Sequence, residues 1–283
     1  MLDLGVYHTL EILREREPGL FLGDKDGNEA NEVLLPNKYV PEEYEIGDLI
    51  KVFVYLDSGE RVVATTLEPF ATVNTFAYLR CTAVAEIGAF LDLGLEKDLF
   101  IPFKEQATKM REGSRYLVYV HLDDKTNRLV GSSKTNRFLK NDLVLLSPYD
   151  KVALIASHPS PYGWNMIVNG KHLGLVYDNE IFKKIHVGDV LDGYVKTVRS
   201  DGKIDLTLQR HGYRAIEPNA QQILKVLKVQ GGFIPLTDKS APGEISAMLQ
   251  LSKKSFKRAI GTLYKSGDIT LEKDGIQLVE KEE

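Results

Sequence analysis

Polar and apolar residues alternate along "GAFLDLGLEKDLFIP", from Gly88 to Pro102, with Ala89, Leu91 and Leu93 on one side and Phe90 and Asp92 on the other. A period of two marks a half-buried strand, so Phe90 falls on the face turned away from the core. The layout recurs upstream in "GLFLGDKDGNEANEVLLP", Gly19 to Pro36, and downstream in "GWNMIVNGKHLGLVY", Gly163 to Tyr177. Each copy opens on glycine, runs as an alternating strand, turns at polar or glycine residues and returns as a short apolar strand. A second block follows each copy: "GDLIKVFVYLDSGERVVATT" from Gly47, "GSRYLVYVHLDDKTNRLVGSSK" from Gly113 and "GDVLDGYVKTVRSDGKIDLTLQ" from Gly188. Two alternating strands around a polar turn predict a hairpin. The same two blocks in the same order three times make a repeat, and its period of about 70 residues suits barrels of about five strands.

Beyond Gly212 the period changes. "PNAQQILKVLKVQG" spaces its apolar residues as a helix does, with Gly231 and Gly232 as its stop. "APGEISAMLQLSKKSFKRAIGTLYKSGDI" predicts two helices. Pro242 opens the first; Ser252 caps the second, which carries Phe256, Ile260 and Leu263 on one face. "DITLEKDGIQLVE" predicts a hairpin through Asp274-Gly275. Helix, helix-turn-helix and wing is the order of a winged-helix domain. The expected architecture is mainly β and multidomain, with barrels at 1–67, 68–145 and 146–212 and a winged helix at 213–283.

Composition narrows the function classes. The 283 residues are 43% hydrophobic and 27% charged, as in an ordinary soluble protein. A net charge of -4 and a pI of about 5.9 exclude a uniformly basic nucleic-acid coat but leave room for a local basic face. No apolar run reaches the roughly 20 residues of a membrane helix, and the N-terminus is charged too early for a signal peptide. The single cysteine, Cys81, excludes an internal disulfide and a cysteine-based zinc cluster. The cytoplasm is the expected compartment.

The traces an enzyme leaves are missing. There is no phosphate-binding P-loop and no dinucleotide fingerprint. His8, His121, His158, His172, His186 and His211 lack metal-ligand spacing. Ser157 and Ser160, in "ASHPSPYGWN", lack nucleophile-elbow glycines. Asp92, Asp98, Asp123 and Asp124 occupy turn positions that suit aspartate for backbone reasons. The expectation is a non-catalytic protein without cofactor or metal.

The repeated blocks resemble S1-type RNA-binding domains, an OB-fold subclass. Three such units ahead of a winged helix resemble the bacterial conserved virulence factor B family, whose members bind RNA and regulate expression. The resemblance implies three tandem S1-like OB-fold barrels, a regulatory role through transcript stability or translation, and a set of site positions. Its first aromatic position falls on Tyr162 in the third repeat, but on Pro18 and Ile87 in the others. Its second falls on Phe21, Phe90 and Asn165. Its histidine position is assigned to Leu35, Ile101 and Tyr177, and its late basic position to Arg61, Arg128 and Lys203.

Such a set has a physical use. An exposed ring is a stacking platform for an unpaired base, a nearby cation neutralises phosphate, and single-stranded RNA has bases free to splay out and stack. An outward ring can equally pack against the next barrel, and both readings stand open for Phe90 and for Phe53, Tyr119 and Tyr194 on the hairpin strands.

Charge ranks the repeats. Through Thr65 the chain holds 14 acidic and 6 basic residues, a net of -8, so the remainder carries +4. The first repeat is therefore expected to be structural or protein-contacting. The third combines Tyr162 and Tyr177 with Lys171, His172, Lys196, Arg199 and Lys203. The second offers Phe90 and Arg128, with Arg80 and Arg115 as weaker additions. The winged helix concentrates Lys253, Lys254, Lys257 and Arg258, with Lys265 beyond, and has no acid between Leu251 and Gly267. A helix of this kind lies along a phosphate backbone or enters a DNA major groove. The leading expectation is single-stranded RNA binding by the later barrels and the winged helix. Two alternatives remain: a protein-interaction scaffold docking on ribosome, nuclease or polymerase, and a DNA-binding winged-helix transcription factor.

Overall fold

A computed structural model describes residues 2–24, 32–209, 218–265 and 267–279. The first repeat forms β1 (Val6–Arg16), β2 (Gly19–Gly23), β3 (Val33–Pro36), β4 (Leu49–Leu56) and β5 (Val62–Thr65). The second forms β6 (Thr75–Ala85), β7 (Gly88–Leu91), β8 (Leu99–Pro102), β9 (Arg115–Leu122) and β10 (Leu129–Ser132). The third forms β11 (Lys151–Ser160), β12 (Gly163–Val168), β13 (His172–Tyr177), β14 (Val190–Val198) and β15 (Ile204–Thr207). Each set closes into a barrel in the same cyclic order. The third and fifth strands of each barrel pair in parallel, as β3 does with β5 and β13 with β15. This is the expected OB architecture, and closure removes the free sheet edges.

The opening glycine of each repeat has one physical cause. A Cβ on Gly19, Gly88 or Gly163 would lie 2.0, 2.3 or 2.0 Å from the carbonyl oxygen of Leu35, Ile101 or Val176. No side chain fits where the second strand crosses so close to the third. The long first strand also bends alike in all three barrels, with its register shifting between Ile12 and Arg14, Cys81 and Ala83, and Ala156 and His158. Such bulges sharpen strand curvature.

The pairing registers confirm the alternation on β7, where Ala89 and Leu91 are buried and Phe90 is half-buried. They correct one alignment. Gly19, Gly88 and Gly163 pair with Pro36, Pro102 and Tyr177. Tyr177 therefore shares its position with the two prolines, whereas Leu35 and Ile101 correspond to Val176. The one-residue slip matters because it exchanges faces. Leu35, Ile101 and Val176 are fully buried, while Pro36, Pro102 and Tyr177 lie half-exposed outside the barrels.

The three barrels belong to one compact unit, Met1–Leu208. Phe53 is completely buried in an apolar cluster that also holds Tyr55 and Val63 of the first barrel and Leu79, Leu91 and Val118 of the second. Tyr119 stacks on Phe138 at 4.1 Å between ring centroids, in a cluster with Phe76 of the second barrel and Ile167 of the third. The packing reading holds for Phe53, while Tyr119 packs at the junction and keeps part of its ring exposed. Tyr194 is half-buried.

A second compact unit, Gln209–Glu283, contains the winged helix. It comprises α1 (Pro218–Val229), β16 (Phe233–Ile234), α2 (Pro242–Leu249), α3 (Lys253–Lys265), β17 (Ile269–Leu271) and β18 (Ile276–Leu278), with sheet order β16-β18-β17. Phe256, Ile260 and Leu263 are buried on one face of α3, against Ile223 and Leu227 of α1 and Ile245 of α2. The Ser252 hydroxyl accepts from the Ser255 N–H at 3.1 Å, which caps α3 as expected. Pro242 opens α2, with the Ala241 N–H donating to the Glu244 carboxylate at 2.9 Å. The expected boundaries at 67/68 and 145/146 fall between barrel strands; that at 212/213, like His211, lies outside the described residues.

Candidate nucleic-acid interface

On the third barrel, β12, β13 and β15 turn their outer faces to a groove of about 900 Å3. Tyr162 sits at its rim in the β11–β12 turn, 71% exposed. Tyr177 comes from the end of β13, Arg199 and Lys203 from the β14–β15 turn, and Leu175 and Asn165 from the sheet between them. The segment leaving the second barrel closes the far side with Leu139 and Asn141. The Asn141 amide donates to the carbonyls of Leu173 and Gly202 and accepts from the Leu173 N–H, each at 2.8 Å, clasping this segment to the barrel.

The groove's cations are preset by carboxylates. Arg199 donates to both oxygens of Asp205, at 2.9 and 3.0 Å, and to the Tyr177 hydroxyl at 2.6 Å. The Asp205 contact raises the guanidinium's already high pKa further. Lys203 lies 2.8 Å from Asp201, whose carboxyl it holds below its ordinary range. These pairs orient the donors without burying them, since the Arg199 and Lys203 side chains remain 42% and 70% exposed. The result is one exposed ring, one half-buried ring fixed by a guanidinium, and an amine at the edge.

The other candidates are placed elsewhere. Lys196 is paired with Glu180 at 2.6 Å, which raises the amine's pKa and lowers the carboxyl's. Lys171 and His172 line a different groove at the junction of the second and third barrels. In the second barrel, Phe90 packs on Phe100 at 5.3 Å on the outer face. Arg128 turns instead to Glu60 of the first barrel in an ion pair between barrels. In the first barrel the Arg14 guanidinium lies 4.6 Å from the Phe21 ring centroid, and Arg61 is paired with Asp57 at 2.7 Å. On α3, Lys254, Lys257 and Arg258 are exposed and Lys253 is half-buried. Lys253 donates to the Lys239 carbonyl at 3.3 Å and Lys257 lies 3.7 Å from Asp238.

Sequence reasoning missed Asn141, Leu175, Asp201 and Asp205. The two aspartates had a local signal in "RSDGKID", where acids alternate with Arg199 and Lys203. Asn141 had none, because the strand it clasps lies 32 residues away. Among the described residues, no group of three or more His, Cys, Asp or Glu side chains is placed to hold a metal, and no helix is long and apolar enough to cross a membrane.

Residues 221–278 match the CvfB-like winged helix domain, and residues 4–67 match the S1 domain. Over most of its length the chain is 25% identical to conserved virulence factor B of Staphylococcus aureus strain MRSA252, covering 86% of this chain and 85% of that protein. The chain is a relative of the conserved virulence factor B proteins. The corresponding protein of Staphylococcus saprophyticus is also 25% identical, over 85% of this chain and 83% of the relative. The uncharacterized protein YitL of Bacillus subtilis strain 168 is 27% identical, over 92% and 89%. A crystal structure described as a multidomain protein with nucleic acid binding domains, from Streptococcus pneumoniae TIGR4, is 27% identical. It covers 98% of this chain and 99% of that one, with a TM-score of 0.44. S1 and winged-helix domains are nucleic-acid-binding types rather than known enzymes.

Proposed function

We propose that this protein is a non-catalytic regulator that binds single-stranded RNA reversibly, chiefly through the groove on its third barrel. One observation carries the reading: Tyr162, Tyr177, Arg199 and Lys203, distant in sequence, converge on one open groove. The exposed Tyr162 ring receives an unpaired base, Tyr177 continues the apolar floor, and Arg199 and Lys203 face the phosphates. Exposed Lys254, Lys257 and Arg258 on α3 supply a second cationic surface of the kind that follows a phosphate backbone. Control of transcript stability or translation then follows from occupancy of the RNA.

Fluorescence anisotropy with single-stranded RNA across a salt series tests this. Loss of one stacking platform costs about 1–3 kcal/mol, so Tyr162→Ala is expected to weaken binding by about 5- to 150-fold. Lys203→Ala is expected to lower the salt slope by about 0.7, the value for one phosphate contact on a single strand. Binding that is independent of salt, or unchanged in the double variant, rules the groove out. Preference for duplex DNA in a direct competition favours the transcription-factor reading.

A scaffold reading draws on the pairing of Arg199, Lys203 and Lys196 with carboxylates, since internally compensated charges also suit a protein-contacting face. Partners retained after ribonuclease treatment would favour it, whereas partners lost with the RNA support the proposal.

A further inference from the structure

The segment that leaves the second barrel, Phe138 to Leu143, is a partition with a groove on either side. Leu139 and Asn141 face the Tyr162 groove. Phe138, Lys140 and Asp142 line a second groove of about 670 Å3 at the junction of the second and third barrels. From Leu139 to Asp142 the side chains alternate between the grooves as in extended chain, and Leu143 joins Asp142 on the junction side. Strand β13 joins the partition in the same way, giving Leu173 to the first groove and His172 to the second.

The second groove has its own stacking surface and its own cations. Tyr119 and Phe138, stacked on each other, line it and are only half-buried. Lys140 and Lys171 are held side by side by the backbone. The Lys140 N–H donates to the Lys171 carbonyl at 3.0 Å, and His172 Nδ1 donates to the Lys140 carbonyl at 2.6 Å. The cations of the Tyr162 groove each sit on a carboxylate, but among the described residues none lies within ion-pair distance of Lys140 or Lys171. Asp142 is the acid that lines this groove. Two uncompensated amines beside aromatic rings complement a phosphodiester with an unstacked base.

We propose that the junction groove is a second nucleotide subsite, and that a single RNA strand crosses the Phe138–Leu143 partition to occupy both grooves at once. This rests on the reading of the Tyr162 groove as an RNA site. The wall is one extended chain thick, about 10 Å from face to face by the packing spacing of sheets, so a few nucleotides of one strand can straddle it. The junction acts as a ruler: it favours strands long enough to span two grooves and requires the second and third barrels to stay docked.

The test compares two RNA lengths on the intact chain. With an oligomer of about 12 nucleotides, Lys140→Ala/Lys171→Ala is expected to lower the salt slope by about 1.4, two phosphates at about 0.7 each, with a matching loss of affinity. With an oligomer of about 4 nucleotides, the smallest site of one OB fold, the same variant is expected to bind like the parent while Tyr162→Ala binds more weakly. Both lysines are exposed, so folding is checked by an unchanged thermal midpoint. An unchanged slope on the long strand, while Tyr162→Ala still weakens it, overturns the second subsite and leaves the first standing. Equal losses on both lengths also overturn it, because the lysines then serve the first groove. Failure of Tyr162→Ala to matter at any length removes the first site, and this one with it.

Discussion

At the scale of single residues, backbone approach and ion pairing explain most of what is special about the chain. Gly163 carries no side chain because the Val176 carbonyl occupies the space where one would start. Gly163→Ala is expected to cost at least about 1–3 kcal/mol, as for overpacking, and to lower the thermal midpoint. Gly243→Ala, in α2 with nothing within 4 Å of the added Cβ, is expected to be neutral or stabilising by up to about 1 kcal/mol. Glu180 accepts from Lys196 and from the Thr207 hydroxyl, and the Lys196 contact holds its carboxyl below the ordinary 4.5. A depressed carboxyl stabilises the fold above its unfolded value and loses that contribution as pH falls through the folded one. The midpoint difference between wild type and Glu180→Gln is therefore expected to be present at neutral pH and to shrink below about pH 4.5.

At the scale of elements, α3 shows how one periodicity serves two ends. Its buried face, Phe256, Ala259, Ile260 and Leu263, builds the core of the winged helix, and this forces Lys254, Lys257 and Arg258 outward. Among the described residues, every α-helix lies in this second unit, so helical circular dichroism reports its unfolding. Phe256→Ala empties a fully buried site and is expected to cost about 3–5 kcal/mol, melting the helical signal early. Ser252→Ala removes the cap alone and is expected to cost about 1 kcal/mol. The helices, the cap and the wing were legible in the sequence because their signals are local. The register of β13 was not: Leu35 and Ile101 look alike beside Tyr177, and only cross-strand pairing shows which residue faces the core.

At the scale of the whole molecule, the hairpins of the first two barrels do the joining. Phe53 and Tyr119 occupy equivalent positions, opposite Thr65 and Ser132, and each packs at a junction with the next barrel. The third hairpin is different: Tyr194 stands opposite Thr207, a bulge follows at Lys196, and Glu180 clasps the pair. Phe53→Ala is expected to cost about 3–5 kcal/mol and to open the stretch between β5 and β6 to limited proteolysis. Phe21→Ala, at a half-buried position on the outer face of the first barrel, is expected to leave that stretch protected.

The sequence alone determined the repeat, the barrels and the winged helix, and it offered rings and cations as candidates for a nucleic-acid interface. Those follow from periodicity and turn chemistry, which act over a few residues. Tertiary structure decided which rings are spent on holding barrels together and which stay open. It also decided that Arg128 answers Glu60 rather than Phe90, and that Lys171 serves a groove apart from Tyr162. These outcomes depend on contacts between residues tens of positions apart, and no alternation along one strand encodes what a neighbouring barrel brings against it.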